Sequence, residues 1–165
     1  MTEPKNDRIV WIDCEMTGLD FDNDVLVEVA CVITDAELNE IGDGFSVVIH
    51  APQERLERMD PFVVEMHTSS GLLPEIPAGH SLEQAEQMLF DYITEHVTEA
   101  TKAPLAGSSV YVDRIFLARD MPQVNSYLHY RIIDVSSIKE LVRRWYPRTY
   151  FASPVKTGNH RALGD

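Results

Sequence analysis

The sequence has little cysteine, and this shortage excludes two kinds of stabilising site. Only Cys14 and Cys31 occur among the 165 residues. Both lie inside apolar segments typical of strands, so we expect free buried thiols rather than a disulfide. The chain also offers too few ligands for a structural zinc site.

Positive charge is also scarce. The chain has 14 Lys and Arg against 27 Asp and Glu, which gives a net charge of -13. A chain of this charge lacks the broad basic face that binds a long polyanion irrespective of its sequence. A short or single nucleotide remains possible as a ligand.

Long apolar runs are missing as well. Residues 1–8 are polar and charged, and no later stretch is long enough to cross a bilayer. We therefore expect a cytoplasmic protein. Its length and its hydrophobic content of 44% suit one α/β domain with one core.

The order of apolar segments and turn residues predicts the layout of this domain. Three strands come first without an intervening helix, which suggests an antiparallel meander over residues 9–12, 25–34 and 44–50. Short helices broken near residues 60–61 follow, and then a longer helix that begins after Ser81.

Two further strand-to-helix units complete the predicted pattern. A short strand at 104–109 leads into a helix that ends at Met121-Pro122. A strand at 131–135 leads into a helix at 138–145. Residues 149–160 are predicted as a loop.

Asp13 and Glu15 end the first strand, directly after its apolar run. Side chains two apart on a strand point to one face, so these carboxylates should converge while Cys14 turns into the core. Such a pair is a hard-oxygen site suited to Mg²⁺ or Mn²⁺. The spacing alone is weak, because 27 acidic residues give roughly four such pairs by chance, and two solvated acids at a strand end are the alternative.

Later segments add the other groups that phosphodiester hydrolysis would need. Asp113 lies where a strand passes into a helix, and His160 and Asp165 lie in the last segment. Two divalent ions held by carboxylates can activate water and stabilise a leaving oxygen, while a His takes up the proton. As alternatives, Asp113 suits a helix N-terminus, and His160 is one of six histidines.

Three blocks of sequence resemble a known family. The segment from Trp11 to Leu19 (WIDCEMTGL) resembles the first motif of the oligoribonucleases, members of the DEDDh group of 3′-to-5′ exonucleases, especially those of actinobacteria. Residues 129–145 and 156–165 resemble two further blocks, the last with His160 and Asp165 in DEDDh spacing. A bare Asp-x-Glu is weak evidence, but three blocks in order are strong evidence.

The resemblance implies a fold and an activity. The fold would be ribonuclease-H-like, a mixed sheet with an antiparallel meander and parallel strands, flanked by helices. A homodimer would hydrolyse very short RNA, ending with dinucleotides, to nucleoside 5′-monophosphates. Two Mg²⁺ or Mn²⁺ ions would be held by Asp13, Glu15, Asp113 and Asp165, with His160 as the general base.

The resemblance also implies residues that bind the substrate. Leu19 would lie between the two bases as a wedge, and His67 would lie along the substrate. The 5′-phosphate would be capped by Ser109 and Ser136, together with Tyr130 and Arg131 of a second subunit.

Two features depart from the family pattern. Ser108 stands where Asn is usual, and Tyr111 and Val112 are bulkier than the residues common there. The family also continues past Asp165 into a C-terminal helix, so we expect residues 1–165 to form one exonuclease domain without that helix. The alternatives are a DEDDh exonuclease for longer nucleic acid and a catalytically impaired nucleotide-binding dimer.

Overall fold

A five-stranded mixed sheet forms the centre of the computed structural model, which describes residues 7–154, 158 and 160–164. The strands are β1 (Ile9–Met16), β2 (Leu26–Thr34), β3 (Phe45–Val48), β4 (Pro104–Gly107) and β5 (His129–Asp134). Their order in the sheet is β3-β2-β1-β4-β5. The first three strands pair antiparallel, whereas β4 runs parallel to both β1 and β5. The predicted meander and mixed sheet are therefore confirmed.

Seven α-helices are present in the described part of the chain. They are α1 (Gln53–Leu56), α2 (Pro61–Ser69), α3 (Leu82–His96), α4 (Tyr111–Asp120), α5 (Pro122–Tyr127), α6 (Val135–Trp145) and α7 (Pro147–Phe151). A short 3₁₀ helix spans Ile76–Ala78.

The main core lies between the sheet and the helices α3, α4 and α5. Helix α3 begins with the predicted capping box, in which Ser81 and Gln84 each bind the other's backbone N–H at 3.2 Å. Such a box satisfies two amide groups that a helix start would otherwise leave open. The helix buries Ala85, Leu89 and Ile93, which are spaced by four residues and so share one face.

The prediction for the two cysteines is confirmed, whereas the predicted boundaries of the last helices are wrong. Cys14 and Cys31 are both free and buried, as predicted. The last predicted helix begins at Val135 rather than at 138, because the Asp134 carboxylate accepts the Ser136 N–H at 2.9 Å and so caps it. Part of the predicted loop 149–160 is helix α7, since the proline at its first position suits a helix start.

Helix α5 was also not predicted, because its first residue, Pro122, was interpreted only as the end of α4. The residue pair Met121-Pro122 ends α4 as predicted, but the proline also begins α5. Within the described residues, no helix is both long enough and apolar enough to cross a membrane.

Candidate active site

The end of β1 presents two carboxylates on one face of the sheet. Asp13 is half-buried and Glu15 is 8% exposed, while the intervening Cys14 packs into the core. Glu15 stands directly opposite Glu28 of β2, and the register of the two strands shifts immediately afterwards. This irregularity ends the regular pairing just before the chain turns away. The predicted shared face is thus present.

Asp113 reaches the same place from the first turn of α4. Its side chain is only 5% exposed. The Cys14 N–H donates a hydrogen bond of 2.9 Å to its Oδ1, which fastens α4 to β1. The bulky Tyr111 that departs from the family pattern is 55% exposed, whereas Asp113, two residues later on the same helix, is buried.

The pKa of Asp113 is raised by burial, and partly because Asp13 lies close to it. Burial, and next the negative charge of Asp13, raise the pKa of this carboxyl to about 7. The Cys14 N–H opposes this rise, because it donates to the ionised form. Two acids that repel each other in a buried place favour a divalent cation, which would offset both charges.

His67 of α2 lies near Glu15 at the end of β1. Its ring is fully buried, and Nε2 lies 2.8 Å from the Met16 carbonyl oxygen. A carbonyl only accepts, so Nε2 carries a proton and donates it. Nδ1 lies 4.0 Å from Glu15 Oε2 and has no hydrogen-bond partner among the described residues. A role of His67 along the substrate stays a prediction.

The loop after β1 carries Leu19, whose side chain is 68% exposed. The Asp24 carboxylate closes this loop by accepting the Thr17 hydroxyl at 2.7 Å. Arg119 of α4 donates to the Asp24 carbonyl at 2.7 Å, so the helix that carries Asp113 also holds this loop. Sequence analysis does not assign Arg119 to the site, because a lone arginine at a helix end is usually solvated.

The two predicted phosphate-binding serines, Ser109 and Ser136, both bind Asp134. The Asp134 carboxylate accepts the backbone N–H groups of both Ser109 and Ser136 at 2.9 Å. Tyr130 and Arg131 lie on the edge strand β5 and are exposed, with the guanidinium 5.4 Å from the centre of the Tyr130 ring. Within one chain, these two side chains are therefore open to a partner.

The C-terminal segment returns to the same face of the sheet. A cavity of about 450 Å³ there is lined by Asp13 and Ser108 as well as by Ala162. His160 is exposed and has a φ of 56°. Asp165 lies outside the described residues. Within those residues, no three His, Cys, Asp or Glu side chains are grouped so as to hold a metal ion.

Comparisons with known proteins give the family. The exonuclease (RNase_T) family model matches residues 10–165. An oligoribonuclease of Streptomyces griseus is 59% identical over 160 residues, which cover 97% of this chain and 80% of the relative. The chain belongs to the oligoribonucleases. An oligoribonuclease of Mycobacterium avium is also 59% identical, over 96% of this chain and 74% of that protein.

Solved structures support the fold of this family member. E. coli exonuclease I in complex with a dT13 oligonucleotide has a TM-score of 0.74 at 18% identity. The zinc-ion-bound form of an E. coli exonuclease I complex with single-stranded DNA has a TM-score of 0.73. In each case the match covers 96% of this chain and 38% of the other, so this chain spans about two fifths of those proteins. The likeness confirms a ribonuclease-H-like exonuclease fold.

Proposed function

We propose that this oligoribonuclease hydrolyses very short RNA from its 3′ end, dinucleotides in particular, to nucleoside 5′-monophosphates. The observation that carries this is the buried Asp113 carboxylate, which the Cys14 N–H holds close to Asp13 at the end of β1. A buried set of acids is costly for the fold unless cations offset it. One exonuclease domain over residues 1–165 and a cytoplasmic location stay predictions.

The donor set fits hard divalent cations. Asp13, Glu15, Asp113 and Asp165 would hold two Mg²⁺ or Mn²⁺ ions, because carboxylate oxygens are the ligands that these ions prefer. Bound there, the ions would activate a water and stabilise the leaving oxygen. Asp113 has to lose its proton to serve as a ligand, so its raised pKa couples ion binding to proton release.

The residues of the chain supply base catalysis and orientation. His160 takes the proton of the attacking water, and its exposed ring can return that proton to solvent. Leu19 presents an apolar side chain on a loop fixed by Asp24 and Arg119, which suits contact with the faces of two bases. His67 would lie along the substrate, where its ring is held by the Met16 carbonyl oxygen at the end of β1.

Exposed apolar surface supports a homodimer. Helix α6 buries none of its residues, although Ile138, Leu141 and Trp145 recur at a helical spacing and are 52%, 42% and 66% exposed. Beside it, β5 is an edge strand that carries the exposed Tyr130 and Ile132. An apolar helix face next to an open sheet edge is suited to a second copy of the same surface.

Turnover of dinucleotides tests the proposed function. A 5′-labelled RNA dinucleotide and a seven-nucleotide RNA should be incubated with the full chain and Mn²⁺ or Mg²⁺. We expect mononucleotide products, loss of activity in excess chelator, and tighter binding of the dinucleotide, because a closed phosphate cap leaves no exit for a longer chain. Equal affinities would favour an exonuclease for longer substrates, and binding without cleavage would favour an impaired nucleotide-binding dimer.

Arg131→Ala should weaken binding of a 5′-phosphorylated dinucleotide by about 2 kcal/mol, as for a charge-assisted hydrogen bond. That equals about a thirtyfold rise in Kd. Titration calorimetry measures the change, and Arg148→Ala, an exposed arginine on α7, is the matched control. An unchanged Kd for Arg131→Ala would remove this residue from the cap.

Mixing two impaired variants, at a substrate concentration too low for Arg131→Ala to bind it, tests whether the partner supplies Arg131. Arg131→Ala lacks the cap and Asp113→Asn lacks a metal ligand, so only a mixed dimer can assemble one complete site. After dissociation and reassociation of an equal mixture, activity at low substrate should reach about a quarter of wild type, since half the dimers hold one complete site. No recovery, despite exchange shown by native mass spectrometry, would place Arg131 in its own chain's site.

A further inference from the structure

A buried acid outside the predicted site lies directly beside it. Glu28 of β2 is only 2% exposed and pairs with Glu15 across the two strands. Opposed residues of an antiparallel pair share one face, and like charges there repel. The Glu28 carboxylate therefore needs a cation or hydrogen-bond donors of its own.

Arg161 and its neighbour supply these donors from the C-terminal segment. The Arg161 guanidinium donates to Glu28 Oε1 from Nε at 3.0 Å and from Nη2 at 2.8 Å. It also donates to both oxygens of Glu75 at 3.1 Å. The Ala162 N–H adds a bond of 2.9 Å to Glu28 Oε2. We name Glu28, Arg161 and Glu75 the Arg161 triad.

Ion pairs, rather than apolar packing, hold the segment that carries His160. Of the described residues in 158–164, Ala162 alone is buried. His160 is exposed and directly precedes Arg161. Its φ of 56° is in the left-handed region, which is uncommon for residues other than glycine.

We infer that the Arg161 triad positions His160 at the active site by fixing the residue after it to β2, opposite Glu15. The inference rests on the proposed function, in which His160 is the base. Glu28 and Arg161 touch neither the substrate nor the reacting atoms in this account. They act through His160, and Glu75 strengthens the guanidinium contact from the chain segment before the 3₁₀ helix.

Kinetics of Arg161 variants test the inference. Arg161→Ala should lower kcat for a dinucleotide about 10-fold to 100-fold, as is usual for a residue that orients a reacting group. KM should change less than about twofold, because the substrate contacts remain. Arg161→Lys keeps the charge but cannot bridge both carboxylates, so it should recover part of kcat. Arg58→Ala, an exposed arginine, is the matched control.

A double-mutant cycle separates positioning from a general structural role. In a His160→Ala background, Arg161→Ala should lower kcat by less than about twofold, since no base remains to be positioned. If the fold loss of kcat in the double variant equals the product of the losses in the two single variants, the inference is overturned. An unchanged kcat in Arg161→Ala would overturn it as well. If Arg161→Ala does not fold by circular dichroism, the same cycle is run with Arg161→Lys.

Hydrogen exchange keeps this test distinct from the test of the proposed function. Arg161→Ala should raise amide exchange of residues 160–164 about tenfold or more, because the bonds to Glu28 are lost. If the wild type shows no turnover, the proposed function fails, and faster exchange would still show that the triad holds the segment. Unchanged exchange would overturn the inference in either case.

Discussion

Replacing Asp113 by Asn should abolish turnover while leaving the fold intact. Asn keeps the size of the side chain and can still accept the Cys14 N–H, so α4 remains fastened to β1. It removes one of the negative charges that two divalent ions require. We expect kcat on a dinucleotide to fall by about a thousandfold or more at saturating Mn²⁺.

The controls for this result are available in the same chain. Asp43→Asn changes an exposed acid on the turn before β3 and should retain full activity. Asp13→Ala should match the loss in Asp113→Asn, because both remove a metal ligand. More than a few per cent of wild-type activity in either variant would contradict these ligand assignments, provided that circular dichroism shows a native fold.

The same Asp113→Asn substitution should stabilise the metal-free protein above neutral pH. Burial, and next the charge of Asp13, raise the pKa of Asp113 from 3.8 to about 7 in the folded state. The folded state therefore binds this proton between about pH 4 and pH 7, where the unfolded state has lost it. The free energy of unfolding falls as the pH rises through this window, by up to about 4 kcal/mol.

Chemical unfolding in chelator at two pH values checks this prediction. At pH 8 the wild type carries the full cost of the buried charge, and the Asn variant carries none, so the variant should be more stable. At pH 5 Asp113 is already protonated in the fold, and the difference should shrink. Asp13→Asn removes only the charge of Asp13 and leaves Asp113 buried, so it should raise the free energy of unfolding at pH 8 by less than Asp113→Asn does. An equal difference at both pH values would show that the charge of Asp113 is not responsible.

Loss of turnover together with a gain in metal-free stability in Asp113→Asn would show that Asp113 serves the active site at a cost in folding stability. A carboxylate that costs free energy in the metal-free protein becomes a ligand once cations offset its charge. Divalent ions should then stabilise the wild type more than Asp113→Asn, because ions that bind the folded state raise its stability.

The sequence by itself determined the elements whose signals are local. Alternating and continuous apolar runs gave β1 and β2, and the Ser81 capping box gave the start of α3, because strand and helix periods are set within a few residues. The face shared by Asp13 and Glu15 follows from the strand period of two in the same way. Prolines were ambiguous, since Pro122 and Pro147 can end one helix or begin the next.

Only the tertiary structure decided how the site is held together. The bond from the Cys14 N–H to Asp113 joins residues 99 apart, and the Arg161–Glu28 pair joins residues 133 apart. Burial and the nearby charge of Asp13 raise the pKa of Asp113, and neither exists until the chain has folded. Residue types and spacing indicate which chemistry a chain can carry, whereas desolvation and long-range contacts set the charge and position of each group.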